Sequence, residues 1–82
     1  MTLLVESAFK HGYDETDFYE LLESGPLKLR SKRGLAGIFE LYGRNFAGDF
    51  LHVAYRKEGQ QYTVFHMRRM TDRERQMYRK HR

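Results

Sequence analysis

The side chains of this chain that could act on a charged group are mostly near its end. Arg44 and Arg68 carry planar guanidinium groups, each able to meet two oxygens of a phosphate. His66 is the obvious acid or base because the ordinary pKa of histidine lies near neutrality. Tyr78 or Tyr55 could assist in proton transfer or by stacking. The candidate catalytic residues are Arg44, His66, Arg68 and Tyr78.

Positive charge is concentrated in residues 68–82, which hold seven Lys or Arg against two acids, while the rest of the 82-residue chain holds eight bases and nine acids. The net charge of +4 therefore comes from this segment, and such a segment attracts polyanions. A solvated helix face without function is the alternative. The candidate phosphate contacts are Arg69, Arg73, Arg75, Arg79 and Lys80.

The same segment has the start signal of a helix. Thr71 and Glu74 fit a capping box, in which each side chain accepts a hydrogen bond from the other residue's backbone N–H. Arg75 and Arg79, four residues apart, would then lie on one side of the helix. We therefore predict a docked closing helix rather than a loose tail, and we assign Glu74 to the cap.

The first half of the chain is predicted to be helical. From Asp14 to Ser24 the acids alternate with apolar residues at spacings of three and four, which gives one apolar stripe. Asp14 or Thr16 would cap this helix, and Gly25-Pro26 would end it. A shorter helical piece, Glu6 to His11, is predicted before it.

The middle of the chain changes to the two-residue period of strands. A turn is predicted at Lys32-Arg33-Gly34 and a loop from Asn45 to Asp49. The sequence thus predicts one α+β domain, residues 1–82, with N-terminal helices, a four-stranded antiparallel sheet and a C-terminal helix, the helices packing against one sheet face. The predicted strands are Leu27 to Arg30, Ile38 to Tyr42, Phe50 to Lys57 and Gln61 to Met67.

The hairpin between the last two strands decides where two histidines point. If Glu58-Gly59 is a two-residue turn, the apolar residues share one face, and His66 and Arg68 continue along that face toward its rim. A slip of one residue would place His52 opposite His66, because the side-chain period is two. We prefer the first register, since it keeps the apolar residues together. It pairs Lys57 with Gln60, Tyr55 with Tyr62, Val53 with Val64, and Leu51 with His66.

Composition bounds the kind of protein. The chain has no cysteine, and its four histidines lack ligand spacing, so we expect no disulfide, no metal and no cofactor. The opening five-residue apolar run is too short for a signal peptide, and no later stretch could span a bilayer. We expect a soluble cytoplasmic protein with no membrane partner.

A scattered set of residues carries a family resemblance. Arg68 ends a strand, Glu74-Arg75 follow on a short helix, and Tyr78 comes one turn later. With Lys10-His11-Gly12, Gly43-Arg44, Gly48, Val53, Tyr55, Gly59 and Met70-Thr71, this pattern resembles the BrnT family of toxins, from about Lys10 to Tyr78. In that family the strand usually ends Ser-Ala-Arg, where this chain has His66-Met67-Arg68, and an aromatic and acidic opening strand stands where this chain has Leu3-Leu4-Val5.

The resemblance implies a RelE-like fold and a small ribonuclease of a bacterial toxin–antitoxin pair. Its partners would be RNA and a cognate antitoxin that covers the basic surface, and a homo-oligomer is possible. Cleavage without a metal needs a base for the 2′-hydroxyl, cations for the phosphate and an acid for the leaving oxygen. Two alternatives remain open from the residues: a non-catalytic nucleic-acid-binding module, and an interaction protein with complementary acidic and basic helices.

Overall fold

The computed structural model describes residues 2–4, 12–30 and 37–81. The predicted helical piece from Glu6 to His11 and the predicted turn Lys32-Arg33-Gly34 lie outside these residues. In the described part of the chain, the elements in order are β1 (Thr2–Leu4), α1 (Glu15–Glu23), β2 (Leu27–Arg30), β3 (Ile38–Arg44), β4 (Phe50–Glu58), β5 (Gln61–Arg69) and α2 (Asp72–Lys80).

The described strands form one sheet in the order β1-β5-β4-β3-β2. The strands from β2 to β5 pair antiparallel, which confirms the predicted α+β class and the four-stranded antiparallel sheet. β1 adds a fifth strand, parallel to β5, with Thr2 opposite Tyr62 and Leu4 opposite Val64. The sequence analysis missed β1 because three residues are too few to show an alternation.

Helix α1 begins where the sequence predicts. The Asp14 carboxylate accepts a hydrogen bond from the Asp17 N–H at 3.3 Å, and the Asp17 carboxylate accepts one from the Asp14 N–H at 2.9 Å. This reciprocal cap satisfies two backbone donors. Gly25, at φ +73°, follows the helix end. Phe18 and Leu21, three residues apart, are fully buried and form the stripe by which α1 packs on the sheet.

The two helices cover opposite faces of the sheet. Leu41 belongs to the apolar cluster that contains Phe18 of α1, whereas its neighbour Tyr42 belongs to the cluster that contains Tyr78 of α2. Successive side chains of a strand point to opposite faces. The prediction that both helices pack against one face is therefore wrong, because β3 carries large apolar side chains on both faces and each face needs a cover.

The larger core lies under α1. Its buried residues are at most 1% exposed, and they are Phe18, Leu21, Leu41, Leu51, Val53, Tyr55, Val64 and Met67. A smaller cluster lies under α2, with Tyr42, Met70 and Tyr78 buried and Leu27, Phe50 and Met77 packed against them.

The turn between β4 and β5 lies one residue later than predicted. Gly59 and Gln60 form it, rather than Glu58 and Gly59. Gly59 has φ +59°, and two-residue hairpin turns need positive φ at their first central residue. Glycine therefore takes the first position, and the predicted pairs are wrong. The observed pairs include Lys57 with Tyr62, Tyr55 with Val64, Val53 with Met67, and Leu51 with Arg69.

Strand β5 contains a β-bulge. Tyr55 pairs with Val64, but the preceding residue of β4, Ala54, pairs with His66. Phe65 is therefore an extra residue on β5. Such a bulge reverses the in-and-out alternation of the strand that carries it.

The bulge changes which face two candidate residues occupy. Beyond it Met67 enters the α1 core, while His66 and Arg68 lie on the α2 face together with His52. The prediction that His66 and Arg68 continue along the core face is therefore wrong. The two histidines do lie close together, but the bulge brings about this arrangement, while β4 keeps its predicted core face.

Candidate functional site

The α2 face of the sheet carries a group of polar side chains that we term the α2-face cluster. β3 supplies Glu40, β4 supplies His52, β5 supplies His66 and Arg68, and α2 supplies Glu74. His52 is the cross-strand partner of Arg68, and the next residue pair on the same face is Ala54 with His66. Two of the four predicted catalytic residues, His66 and Arg68, are thus brought to one site.

Arg68 is held by a two-point ion pair with Glu74. Its Nη1 donates to Glu74 Oε1 at 2.7 Å, and its Nη2 donates to Glu74 Oε2 at 2.9 Å. Nη1 also donates to the Arg69 carbonyl at 2.8 Å. This fork-to-carboxylate geometry is strong and directional. The hydrogen bond to Glu74 raises the pKa of Arg68 above its ordinary value, so the guanidinium remains charged.

Glu74 joins the helix cap to the cluster. Its Oε1 accepts from the Thr71 N–H at 2.9 Å, and Thr71 Oγ1 accepts from the Glu74 N–H at 3.2 Å. The predicted capping box is confirmed. Burial alone raises the pKa of Glu74, but the hydrogen bonds from Arg68 and Thr71 outweigh it and lower the pKa to about 2. The sequence analysis assigned Glu74 to the cap, and the structure adds the ion pair.

His52 is the buried centre of the cluster, with 7% of its surface exposed. Its Nε2 lies 2.9 Å from Glu40 Oε1, and its Nδ1 lies 3.8 Å from Glu74 Oε2. Burial lowers the pKa of His52 below its ordinary value, although the hydrogen bond with Glu40 opposes this. A neutral ring that donates from Nε2 to Glu40 leaves Nδ1 as an acceptor, and Nδ1 has no hydrogen-bond partner among the described residues.

Tyr42 forms the floor beside His52. The two rings stack with their centroids 4.6 Å apart and their planes 20° from parallel. Burial and the nearby Glu40 carboxylate raise the pKa of Tyr42 to about 12, so its hydroxyl keeps its proton. Tyr42 therefore fixes the orientation of the His52 ring and adds no charge to the cluster.

His66 is the neighbour of His52 on β5. The centroids of the two imidazole rings are 5.4 Å apart, and His66 is half-buried rather than enclosed. Arg68 follows two residues later on the same face. A titratable ring and a guanidinium thus lie next to each other at a position that solvent reaches.

The other two predicted catalytic residues have different neighbours. Arg44 is exposed at the end of β3, and its guanidinium carbon lies 5.4 Å from the centre of the Phe50 ring. Tyr78 is 2% exposed and packs with Tyr42 and Met70. Its ring also meets Phe50 at a centroid distance of 6.1 Å in an edge-on arrangement. The position of Tyr78 is that of a side chain that fixes α2 to the sheet.

Some of the candidate phosphate contacts have an acidic partner, and others do not have one among the described residues. Arg69 donates to the Tyr13 hydroxyl at 2.9 Å and lies 3.7 Å from the Asp49 carboxylate. The guanidinium carbon of Arg75 lies 4.7 Å from the centre of the Phe50 ring, and within residues 12–30 and 37–81 no carboxylate is in ion-pair distance of it. Arg73, Arg79 and Lys80 are exposed on α2.

A cleft lies between the loop after β3 and the start of α2. It encloses about 140 Å³, and it is open to solvent. Asp49 and the two arginines on its wall give the lining a net positive charge. The cleft is lined by Gly48, Asp49, Phe50, Arg69, Met70 and Arg75.

The structure adds two residues to the site that the sequence analysis did not assign to it. Glu40 is the one acid within the apolar run from Ile38 to Tyr42, and a lone acid in such a run is a usable signal of a buried partner. The sequence places His52 opposite His66 in the slipped register. The distance between them follows from the bulge, which leaves no clear trace in sequence.

Comparison with known proteins adds no relative: no protein-family model, no curated protein and no solved structure matches this chain. Among the described residues, no three His, Asp or Glu side chains are grouped closely enough to hold a metal ion. Within the same residues, neither helix has the length and apolar character needed to cross a bilayer.

Proposed function

We propose that this chain is a metal-independent endoribonuclease, a BrnT-like toxin of the RelE-like class in a bacterial toxin–antitoxin pair. One observation carries the proposal: His66 and Arg68 lie two residues apart on one face of β5, with the His52 ring and the Glu74 carboxylate beside them. An acid or base, a phosphate-binding cation and their supporting groups are thus gathered on one surface next to a basic helix.

The chemistry is transfer of the phosphate to the neighbouring 2′-oxygen. A base takes the proton of the 2′-hydroxyl, the 2′-oxygen attacks phosphorus, and the 5′-oxygen leaves with a proton from an acid. In this scheme His66 acts as the base or as the acid. Arg68 stabilises the negative charge that builds up on the phosphate oxygens. The products carry a 2′,3′-cyclic phosphate and a 5′-hydroxyl.

The ion pair with Glu74 is compatible with this role of Arg68. An arginine side chain has five N–H donors. The hydrogen bonds between Arg68 and the described residues use three of them, two to Glu74 and one to the Arg69 carbonyl. Glu74 therefore fixes the direction of the guanidinium, and the remaining donors are left for a phosphate. The proposal does not need Tyr78, whose side chain is buried.

An antitoxin would act on the outer surface of α2. The exposed bases of this helix would contact RNA in the active protein, and an acidic partner would cover them in the inhibited complex.

The test is RNA cleavage in the presence of a chelator. Purified protein is incubated with single-stranded RNA in EDTA at neutral pH, and the product ends are analysed for 2′,3′-cyclic phosphate. Arg68→Ala and His66→Ala are each expected to lower kcat by 100-fold or more, on the order of the usual effect of an acid–base or charge-stabilising group. Arg68→Lys keeps the charge and tests the fork geometry if Arg68→Ala is unstable.

Arg56→Ala is the matched control. Arg56 lies on β4 near the hairpin turn, pairs with Glu58 at 3.8 Å and is not part of the site. This variant should cleave as the wild type does. Expression of the chain alone should also arrest bacterial growth, and His66→Ala should relieve the arrest. RNA that stays intact with the wild-type protein would refute the proposal.

A second function, nucleic-acid binding without catalysis, is favoured by one observation. Arg44 and Arg75 both lie against the ring of Phe50, and neither takes part in the ion pair of Arg68 with Glu74. Binding that depends steeply on salt, together with intact RNA, would favour this function over cleavage.

A further inference from the structure

The arginines around the α2 face fall into two kinds. Arg68 and Arg69 have acid partners, Glu74 and Asp49. Arg44 and Arg75 have none within the described residues, and each is held instead against the ring of Phe50. The charges of Arg68 and Arg69 are therefore balanced by acids in the folded protein. The charges of Arg44 and Arg75 are not balanced by any acid in the part of the chain that the structure describes.

Phe50 keeps two like charges close to each other. The guanidinium carbons of Arg44 and Arg75 lie 5.4 Å and 4.7 Å from its ring centre, so they are at most about 10 Å apart. That distance is comparable with the Debye length of about 10 Å at 0.1 M salt, so the two charges still repel each other. The phosphates of a polyanion bound at the two guanidiniums would offset this repulsion.

Arg75 also has unused hydrogen-bonding capacity. Its Nε is buried and makes no hydrogen bond to the described residues. The side chain forms part of the wall of the open cleft, which Phe50 and Arg69 also line. A fixed guanidinium on the wall of an open cleft is a suitable group for one phosphate.

We propose that Arg44, Phe50 and Arg75 form a phosphate-binding subsite for the backbone of single-stranded RNA, separate from the His66 and Arg68 pair. Each arginine binds a phosphate of the backbone, and Phe50 positions both guanidiniums. The ring is occupied by the guanidiniums, so the subsite reads the backbone and not a base. This inference deepens the proposed function, since it assigns Arg44 to binding rather than to catalysis, but it rests only on contact with RNA and not on cleavage.

The test is binding of an oligonucleotide of about ten 2′-O-methyl nucleotides, which cannot be cleaved and has a length within the usual site size. Arg44→Ala and Arg75→Ala should each weaken binding about tenfold. Each should also reduce the slope of log affinity against log salt by about 0.7, the value for one phosphate contact on a single strand. Phe50→Leu keeps an apolar side chain without a ring and should weaken binding about threefold.

Arg56→Ala is again the control, because it removes the same charge and the same kind of contact. Arg56 lies 5.6 Å from the centre of the Phe65 ring, near the opposite end of β4. It should change affinity by less than about twofold and only slightly change the salt slope. If Arg44→Ala and Arg75→Ala behave like Arg56→Ala, the subsite does not exist.

Inorganic phosphate distinguishes a strand from a small anion. The oligonucleotide should compete with inorganic phosphate for binding at Arg44 and Arg75. The NMR signals of these two side chains measure this competition. If the two alanine variants weaken phosphate binding but leave oligonucleotide binding intact, the assignment to an RNA backbone is wrong.

Cleavage is measured separately with unmodified RNA. Arg44→Ala and Arg75→Ala should raise KM and leave kcat near its wild-type value, whereas His66→Ala should lower kcat and leave oligonucleotide binding intact. A wild-type protein that binds through Arg44 and Arg75 but does not cut would overturn the proposed function and leave this subsite in place.

Discussion

The two faces of the sheet are built in different ways. The α1 face is an apolar core in which every member of the cluster is at most 1% exposed. The α2 face has three buried apolar residues, and next to them it holds the ionic contacts among Glu40, His52, Arg68 and Glu74. An apolar core contributes free energy of folding in proportion to its buried area. Buried ion pairs contribute little on balance, because desolvation offsets most of their attraction.

The difference between the two faces indicates where the stability of the fold and the candidate site are located. A small domain has little hydrophobic free energy to spare, and this one places most of it on the α1 side. The α2 side can then accept charged groups, although apolar side chains in their place would leave the fold at least as stable. Sites that depart from the rules of core packing in this way are where function is expected.

The largest expected effect is loss of packing on the α1 face. Phe18→Ala should lower the free energy of unfolding by about 3–5 kcal/mol, because it empties a fully buried site that the rings of Tyr55 and Tyr62 on the sheet contact. Urea denaturation followed by circular dichroism measures it. Tyr19→Ala, with 40% of its side chain exposed on the same helix, should cost about 1 kcal/mol or less.

Met70→Ala tests the other side of the comparison. Met70 is 8% exposed in the smaller cluster and should cost about 2 kcal/mol, the lower end of the range for this change. The comparison of the two faces fails if Met70→Ala costs as much as Phe18→Ala.

A smaller effect is expected from Glu74→Gln. The variant leaves the Arg68 cation without its counter-charge and should lower the free energy of unfolding by roughly 2 kcal/mol at pH 7, less than for a fully buried pair. Asp72→Asn, at an exposed acid in the same helix turn, should cost about 0.5 kcal/mol.

The pH dependence of this difference has a definite sign. The pKa of Glu74 is lowered from 4.5 to about 2 in the folded protein, so its contribution is complete above pH 4.5 and is lost as pH falls toward 2. The gap between wild type and Glu74→Gln should therefore narrow between pH 5 and pH 2 in urea denaturation. A gap that stays constant over this range would mean that the ion pair is not the cause.

The smallest effect concerns His52, which faces Glu40, Tyr42, His66, Arg68 and Glu74. Its pKa is lowered from 6.5 by burial, so the unfolded chain binds the proton more readily, and stability falls as pH drops below 6.5. One proton gives a slope of at most about 1.4 kcal/mol per pH unit. His52→Gln should remove this part of the slope between pH 7.5 and pH 5.5.

His81→Gln is the control for this measurement. His81 is exposed at the end of α2, outside the cluster around His52, so this variant shows what the loss of a surface histidine does to the slope. An unchanged slope in His52→Gln would show that the buried ring does not take up a proton in this range.

Local signals were sufficient for α1, α2 and the four antiparallel strands. Thr71 caps α2 as predicted, and α1 is capped by Asp14, one of its two predicted caps, because a cap depends on residues only three positions away. The predicted strand segments all lie within observed strands. The predicted turn lies one residue too early. From the sequence, Gly59 could be either the first or the second residue of the turn, and only its backbone angle decides between the two positions.

The sequence by itself determined the order of α1, the four antiparallel strands and α2, the helix caps, the apolar face of β4 and the positive charge of residues 68–82. These depend on residue type and on short spacings along the chain. The tertiary structure decided which face each candidate residue occupies, because one extra residue on β5, Phe65, reverses the alternation after it. The tertiary structure also decided which arginines have an acidic partner, because Arg68 contacts Glu74 and Arg44 contacts Phe50 only after the strands and α2 have packed.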